Sequence, residues 1–250
     1  MPRYCRVSLD GRPQWGVVAG DVVQVLAGSP LAGDATGTGT VVPLASAVFL
    51  PPVVPPVFYA VGLNYRNHVA AAPERPEVGY RANNALVGHG AAIVKPAEVE
   101  GRFEAEGELV AVIGAILRHA SYGEAQESIF GWTIGNDVSA REWQHADRTF
   151  WRSKNSDTFK PMGPWIETTV DPLVQTTTVR IGDEVRASFP TGAMIFDPYE
   201  FIVETTKHIT MRPGDVVWMG ADTACQIEPG DVVHIGISGI GVLSNPVVGE

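Results

Sequence analysis

Cysteine is nearly absent from this sequence: Cys5 and Cys225 are the only two in 250 residues. That excludes a disulfide framework, and their separation excludes a zinc ribbon or a C-x-x-C redox motif. A chain of this length can instead fold on an apolar core, and a reducing cytoplasm is the expected setting. Long apolar runs are also missing. No segment approaches the roughly 18 uninterrupted apolar residues of a membrane span, and Met1 to Asp10 has no charged head followed by an apolar stretch. Neither membrane insertion nor export is expected. Positive charge is scarce too, with 18 Lys and Arg against 28 Asp and Glu, a formal net charge of -10. Such a surface repels phosphate backbones and anionic lipid, which argues against nucleic acid as a partner. A small anionic substrate stays compatible with this charge if a metal ion and a few arginines reverse the potential locally.

The first fifty residues carry short valine-rich runs, Gly16 to Val18 and Val22 to Leu26, followed by small residues from Ala27 to Gly39. They read as a small β-rich opening unit, residues 1–50, that ends in a flexible connection. The prolines of Pro51-Pro52-Val53-Val54-Pro55-Pro56 favour an extended linker, and a second unit, residues 57–250, begins beyond it. Val57 to Val61, Glu108 to Ile116 and Gly131 to Val138 read as strands, the second apolar on both faces. Ser121 with Glu124 forms a capping box for a helix reaching Phe130, and Asp197 followed by Pro198 opens another running to Thr206. Gly-Asp-Val-Val recurs at Gly20, Gly214 and Gly230, each time as a turn feeding a strand. The later two are expected to begin successive strands of one sheet. The fold class is therefore α+β, mostly β.

Two acidic residues, Glu106 and Glu108, flank Gly107 at the entrance to the apolar strand. Residues i and i+2 of a strand project to the same side, so these carboxylates converge. A solvated acidic edge would explain them equally well, but Asp137, at the end of the next predicted strand, supplies a third carboxylate where a sheet end could bring it alongside. Like charges so placed call for a cation. Three carboxylates with water suit magnesium or manganese, whereas zinc would usually take histidine or cysteine. Arg141, Gln144, Arg148, Arg152, Ser153, Lys154, Asp157 and Thr158 follow, a concentration of polar groups able to grip a carboxylate or an enolate oxygen. Upstream, Asn64-Tyr65-Arg66-Asn67-His68 leaves its strand through Gly62, and His68 is a candidate general base. No metal-ligand spacing links His89, His119, His145, His208 and His234.

Together, Gly62-Leu63-Asn64-Tyr65-Arg66-Asn67-His68, Glu106-Gly107-Glu108-Leu109, Gly135-Asn136-Asp137-Val138-Ser139-Ala140-Arg141, Lys154 through Gly163-Pro164-Trp165, and Pro213-Gly214-Asp215 resemble the fumarylacetoacetate hydrolase family from Val57 to the C-terminus. The resemblance implies a mixed β-sandwich or roll in a homodimer, with magnesium or manganese on Glu106, Glu108 and Asp137. It also implies that Lys154 contacts metal-bound substrate or water and that Arg141, Gln144 and Thr158 line the pocket; His68 and Lys154 are the catalytic candidates, and Tyr65 and Arg81 are further substrate-binding candidates. Ala71 stands where many members carry a water-orienting glutamate, a role Glu74 could take only if its loop folds back. Arg81 lies in a loop where the family often has phenylalanine then lysine, and Ala221 replaces a frequent threonine.

The expected function is metal-dependent hydrolysis or lysis of a C–C bond in a 2-oxo or 1,3-diketo carboxylate, such as an acylpyruvate from aromatic-compound breakdown. Decarboxylation or keto-enol isomerisation of a related oxo acid is the alternative, favoured by Ala71 because neither needs an attacking water. A non-catalytic keto-acid sensor is the alternative from another class.

Overall fold

The computed structural model describes residues 2–250, apart from the side chain of His68. Its backbone is α+β and mostly β, arranged as two sheets. The larger has 14 strands and the smaller five.

The organising element is the strand Phe103–Ile113, buried at every one of its 11 residues. The acidic pair thus lies inside a strand rather than at its entrance, because Phe103 to Ala105 already pair with flanking chain. Alternation along this strand separates two tasks. Leu109, Ala111 and Ile113 join Val179, Ile235 and Ile237 of the smaller sheet in one apolar core. Val110 and Val112 point the other way, into a cluster with Phe58, Met162, Val216 and Trp218. Glu106 and Glu108 share the parity of Val110, so their carboxylates project away from the space between the sheets.

Pairing on the two edges of this strand differs. One edge is continuous against Ile129–Asn136, with Gly107 opposite Asn136 and Glu108 opposite Gly135. The other edge is shared by Val216–Trp218, which pairs over Val110 to Val112, and Ala224–Gln226, which pairs over Glu104 to Glu106. Met219 still donates its amide to the Leu109 carbonyl at 3.0 Å, and the chain at 220–223 then leaves the ladder opposite Gly107 and Glu108. This interruption makes room for a site beside Glu108.

The expected helices are present at Tyr122–Glu127 and Pro198–Thr206, both with reciprocal capping boxes, Ser121 with Glu124 and Asp197 with Glu200, but the first stops short of Phe130, which belongs to the strand Ile129–Asn136. Two further expectations need correction. Val216–Trp218 lies in the larger sheet and Val232–Ile237 in the smaller, so the later Gly-Asp-Val-Val repeats do not begin successive strands of one sheet. Burial gives the reason: Val216, Val217 and Trp218 are enclosed on both faces, whereas only Val233, Ile235 and Ile237 of the second run are fully covered. The Ala27 to Gly39 stretch is also not a loose connection. It contains a turn of 3-10 helix at Pro30–Ala32, and the strand Gly37–Pro43 pairs with Val22–Leu26.

The opening strand Arg3–Leu9 extends the larger sheet by pairing Arg3 with Glu167 and Tyr4 with Ile166 of Lys160–Glu167. In the proline segment, Val53 packs into the cluster around Trp218. Among the described residues, no helix is long and apolar enough to cross a membrane.

Gly107 sets the distance between the sheets at the site. A Cβ there would lie 2.8 Å from Val179 Cγ2 and 2.9 Å from Ile235 Cγ2. Gly107→Val is expected to cost about 1–3 kcal/mol by overpacking, measured as a lower denaturation midpoint. It should also weaken divalent-ion binding, since the flanking glutamates ride on the same backbone.

Candidate active site

Asn136 and Asp137 end the strand Ile129–Asn136 at the acidic pair. The Asn136 side-chain oxygen accepts the Glu106 amide at 3.1 Å, while the Asp137 amide donates to the Glu106 carbonyl at 3.0 Å. These bonds seat Asp137 beside Glu106. The result is a buried triad of Glu106, Glu108 and Asp137, each offering a carboxylate oxygen within 4.8 Å of the others.

Positive charge surrounds the triad unevenly. Arg141 reaches Glu106 Oε1 at 2.6 Å and Glu104 Oε2 at 2.6 Å. Lys154 Nζ bridges Glu106 Oε2 and Asp137 Oδ2 at 2.8 Å each. Arg81 binds Asp137 Oδ2 at 2.9 Å, and the wholly buried Lys160 binds Asp137 Oδ1 at 2.7 Å. Glu108 has no ion pair among the described residues and accepts one backbone N–H, from Gly220 at 2.8 Å.

The proton affinities follow this asymmetry. Burial works to raise Glu106, but Lys154 and Arg141 outweigh it and hold the carboxyl at about 2. Burial likewise opposes ionisation of Asp137, and Arg81, Lys154 and Lys160 overcome it, keeping this carboxyl well below the ordinary range. For Glu108, burial and then the charges of Asp137 and Glu106 push the carboxyl up to about 8. Burial lowers the Lys160 ammonium to about 7 against the pull of Asp137. Lys154 moves upward, because Asp137 and Glu106 outweigh its burial.

A divalent cation fits this donor set. All the required ligands are hard oxygens, and the uncompensated carboxylate, Glu108, is the one whose ionisation an added positive charge would favour.

Neighbouring elements hold the frame. Asn64 donates to the Phe196 and Met219 carbonyls at 3.1 and 2.9 Å and accepts the Phe196 amide at 2.9 Å, which ties Met219, where the 220–223 excursion starts, to the loop after Phe58–Gly62. Lys154 follows a turn organised by buried Asp147, whose carboxylate accepts the amides of Trp151, Arg152 and Ser153 at 2.8–3.1 Å.

A cavity of about 370 Å³ opens over the triad and brings together Glu106, Glu108, Asp137, Lys154, Arg81, Arg141 and Gln144. Tyr65 does not line it; its buried hydroxyl donates to the Thr191 carbonyl at 2.9 Å. Thr158 lines a neighbouring cavity instead, and its hydroxyl oxygen accepts the Val94 amide at 2.8 Å. Glu74 lies in a separate cleft with Arg75 and Glu204, so it does not fold back onto the triad. The His68 side chain lies outside the described residues.

Several contributors escaped the sequence reading. Lys160 directly precedes a proline inside a strand and carried no visible signal. The Gly220 amide follows from backbone geometry, and Glu77 reaches the cavity wall only because Gly62 pairs with it across the sheet.

Comparison with known proteins identifies the family. The sequence model for "Fumarylacetoacetate (FAA) hydrolase C-terminal" matches residues 57–248. The chain belongs to the fumarylacetoacetate hydrolase family. Within this family, Protein Rv2993c of Mycobacterium tuberculosis is 38% identical over 86% of this chain and 84% of its own length. Residues 3–52 match a separate model, "Rv2993c-like, N-terminal". Oxaloacetate tautomerase YisK of Bacillus subtilis is 32% identical over 75% of this chain and 68% of its own. A crystal structure of 5-carboxymethyl-2-hydroxymuconate delta-isomerase from Mycobacterium smegmatis superposes with a TM-score of 0.91 at 36% identity, covering 99% of this chain and 100% of that one.

The raised Glu108 carboxyl has a testable consequence in metal-free protein. A carboxyl that binds its proton more tightly folded than unfolded stabilises the fold fully below the ordinary carboxylate range. That contribution falls as pH rises and is gone above the folded value of about 8. Glu108→Gln should remove this slope, so its Tm advantage over wild type should grow between pH 5 and 8 (about the span of the two proton affinities). A constant Tm difference across that range would contradict the assignment.

Proposed function

We propose that this family member is a magnesium- or manganese-dependent enzyme that cleaves a C–C bond in a 2-oxo or 1,3-diketo carboxylate of acylpyruvate type, as hydrolase or lyase. The observation that carries this reading is the buried triad of Glu106, Glu108 and Asp137, open to a cavity whose other walls present Lys154, Arg81 and Arg141. When bound, the divalent ion supplies a Lewis acid that a 2-oxo acid can chelate and that lowers the cost of enolate charge.

The protein's own groups perform the remaining tasks. Arg81 and Arg141 provide fixed guanidinium charge at the cavity wall, suited to orienting a substrate carboxylate. Lys154, held at two carboxylates, can turn an N–H toward a developing enolate oxygen and stabilise charge where it forms. Gln144, bonded to Arg141 at 3.1 Å, limits how substrate lies against that guanidinium. His68 is the proposed group for moving the proton, and Tyr65 and Thr158 are proposed to shape the substrate site from behind its walls.

Keto-enol isomerisation or decarboxylation of a related oxo acid is the second reading. Ala71, where an attacking water would otherwise find its glutamate, favours it, as do the activities named for the tautomerase and isomerase relatives. The proposal also includes a homodimer, a cytoplasmic setting, and a division into an opening unit 1–50 and a catalytic unit 57–250.

The deciding measurement is turnover of acylpyruvates and oxaloacetate by metal-stripped protein, with and without added magnesium or manganese, following enol absorbance and product identity. Metal-restored cleavage into two acids supports the leading reading, while a rearranged product or CO2 transfers it to the second. Glu106→Ala is expected to abolish turnover, a loss of at least about 10³-fold if the ion is the principal electrophile. Full activity after metal removal would refute the metal dependence on which the leading reading rests, and tight keto-acid binding without turnover would identify a sensor.

A further inference from the structure

Asp137 is bonded on both carboxylate oxygens, and its partners come from two sides. Oδ2 takes Lys154 at 2.8 Å and Arg81 at 2.9 Å, and both of these residues line the cavity over the triad. Oδ1 takes Lys160 at 2.7 Å, with a longer bond of 3.4 Å from Arg81 Nε. Lys160 is wholly buried and does not line the cavity. It reaches the carboxylate from behind.

The local fold fixes this lysine. It opens the strand Lys160–Glu167, where Lys160 and Pro161 pair with Leu86 and Val87, and it follows Phe159, whose ring packs on Phe103 with centroids 5.3 Å apart. Besides Asp137, its Nζ donates to the carbonyls of Val138 at 3.0 Å and Phe159 at 2.9 Å. The Val138 amide donates to the Phe159 carbonyl at 3.1 Å, so backbone holds both carbonyls in place. Three acceptors use the three N–H donors of an ammonium. Burial eases proton loss from Lys160, but the neutral amine still has two N–H donors, and a carboxylate is a stronger acceptor than either carbonyl. Releasing Oδ1 would leave a buried N–H unpaired, whereas Lys154 and Arg81 have the cavity to turn into.

This decides how Asp137 can hold an ion. Calcium accepts carboxylates through both oxygens, at about 2.3–2.6 Å in a flexible shell, whereas magnesium demands near-octahedral single contacts at about 2.0–2.1 Å. We propose that Lys160 is a positioning residue that keeps Oδ1 of Asp137 out of the coordination shell, so that the aspartate is a one-oxygen ligand and the site disfavours calcium against magnesium and manganese. The proposal deepens the metal-dependent reading above and rests on it.

The test is calorimetric binding of magnesium, manganese and calcium, each alone, to metal-stripped wild type and Lys160→Met. Loss of positive charge beside the triad strengthens all divalent ions alike to first order, so the ratio of the calcium to the magnesium dissociation constant isolates ligand geometry. That ratio should fall about tenfold in Lys160→Met, the size of one gained charge-assisted contact, while the manganese-to-magnesium ratio holds. An unchanged calcium-to-magnesium ratio overturns the proposal and leaves the metal site standing. Wild type that binds none of the three ions overturns both.

A crystal structure of wild type soaked in calcium decides the matter even where Lys160→Met fails to fold. Oδ2 on the ion with Oδ1 still on Lys160 Nζ is the expected result. Oδ1 on the ion, alone or together with Oδ2, overturns the proposal.

Discussion

Three carboxylates buried with oxygens within 4.8 Å of one another repel strongly, and much of the surrounding architecture compensates for that repulsion. Glu106 and Asp137 receive lysine and arginine partners at 2.6–2.9 Å. Among the described residues Glu108 has no ion pair; it accepts the Gly220 amide and feels Lys154 only at a distance. The compensation is therefore incomplete at one carboxylate, and that electrostatic opening suits a divalent ion. A fully neutralised triad would have less use for an ion, and one without Lys154 and Lys160 would leave Asp137 with Arg81 as its remaining ion-pair partner among the described residues.

Secondary structure places this charge where it can be reached. Strand alternation sends the carboxylates of Phe103–Ile113 away from the smaller sheet, and Gly107 lets that sheet close behind them. The break between Val216–Trp218 and Ala224–Gln226 removes the ladder beside Glu108 and substitutes the Gly220 amide. Asn64 and Asp147 then fasten the loops that form the walls. Both are polar residues whose bonding capacity is spent on backbone, which is how irregular chain is held rigid inside a buried site.

Much of this was legible because it depends on short-range pattern. The i, i+2 glutamates, the capping boxes at Ser121 and Asp197, and the apolar run after Glu108 are local features with local consequences. The family resemblance was legible because its motifs occur in order along the chain. The misplaced features were long-range. Equal Gly-Asp-Val-Val turns lead into different sheets, since a turn specifies how a strand begins and not which neighbour it meets. Glu74 is nearer the motif histidine in sequence, yet Glu77 lines the cavity, because pairing with Gly62 decides which glutamate faces inward.

By itself, the sequence determined the mostly β fold class, the family, and the carboxylates Glu106, Glu108 and Asp137, because periodicity and residue chemistry suffice for each. Only tertiary structure decided how charge is shared among them. The burial of Lys160, the bridging position of Lys154 and the solitary state of Glu108 all arise between segments distant in the chain or folded back by a turn. The Coulomb energy of such groups depends on separation in space and on exclusion of water, quantities that a linear order of residues does not contain.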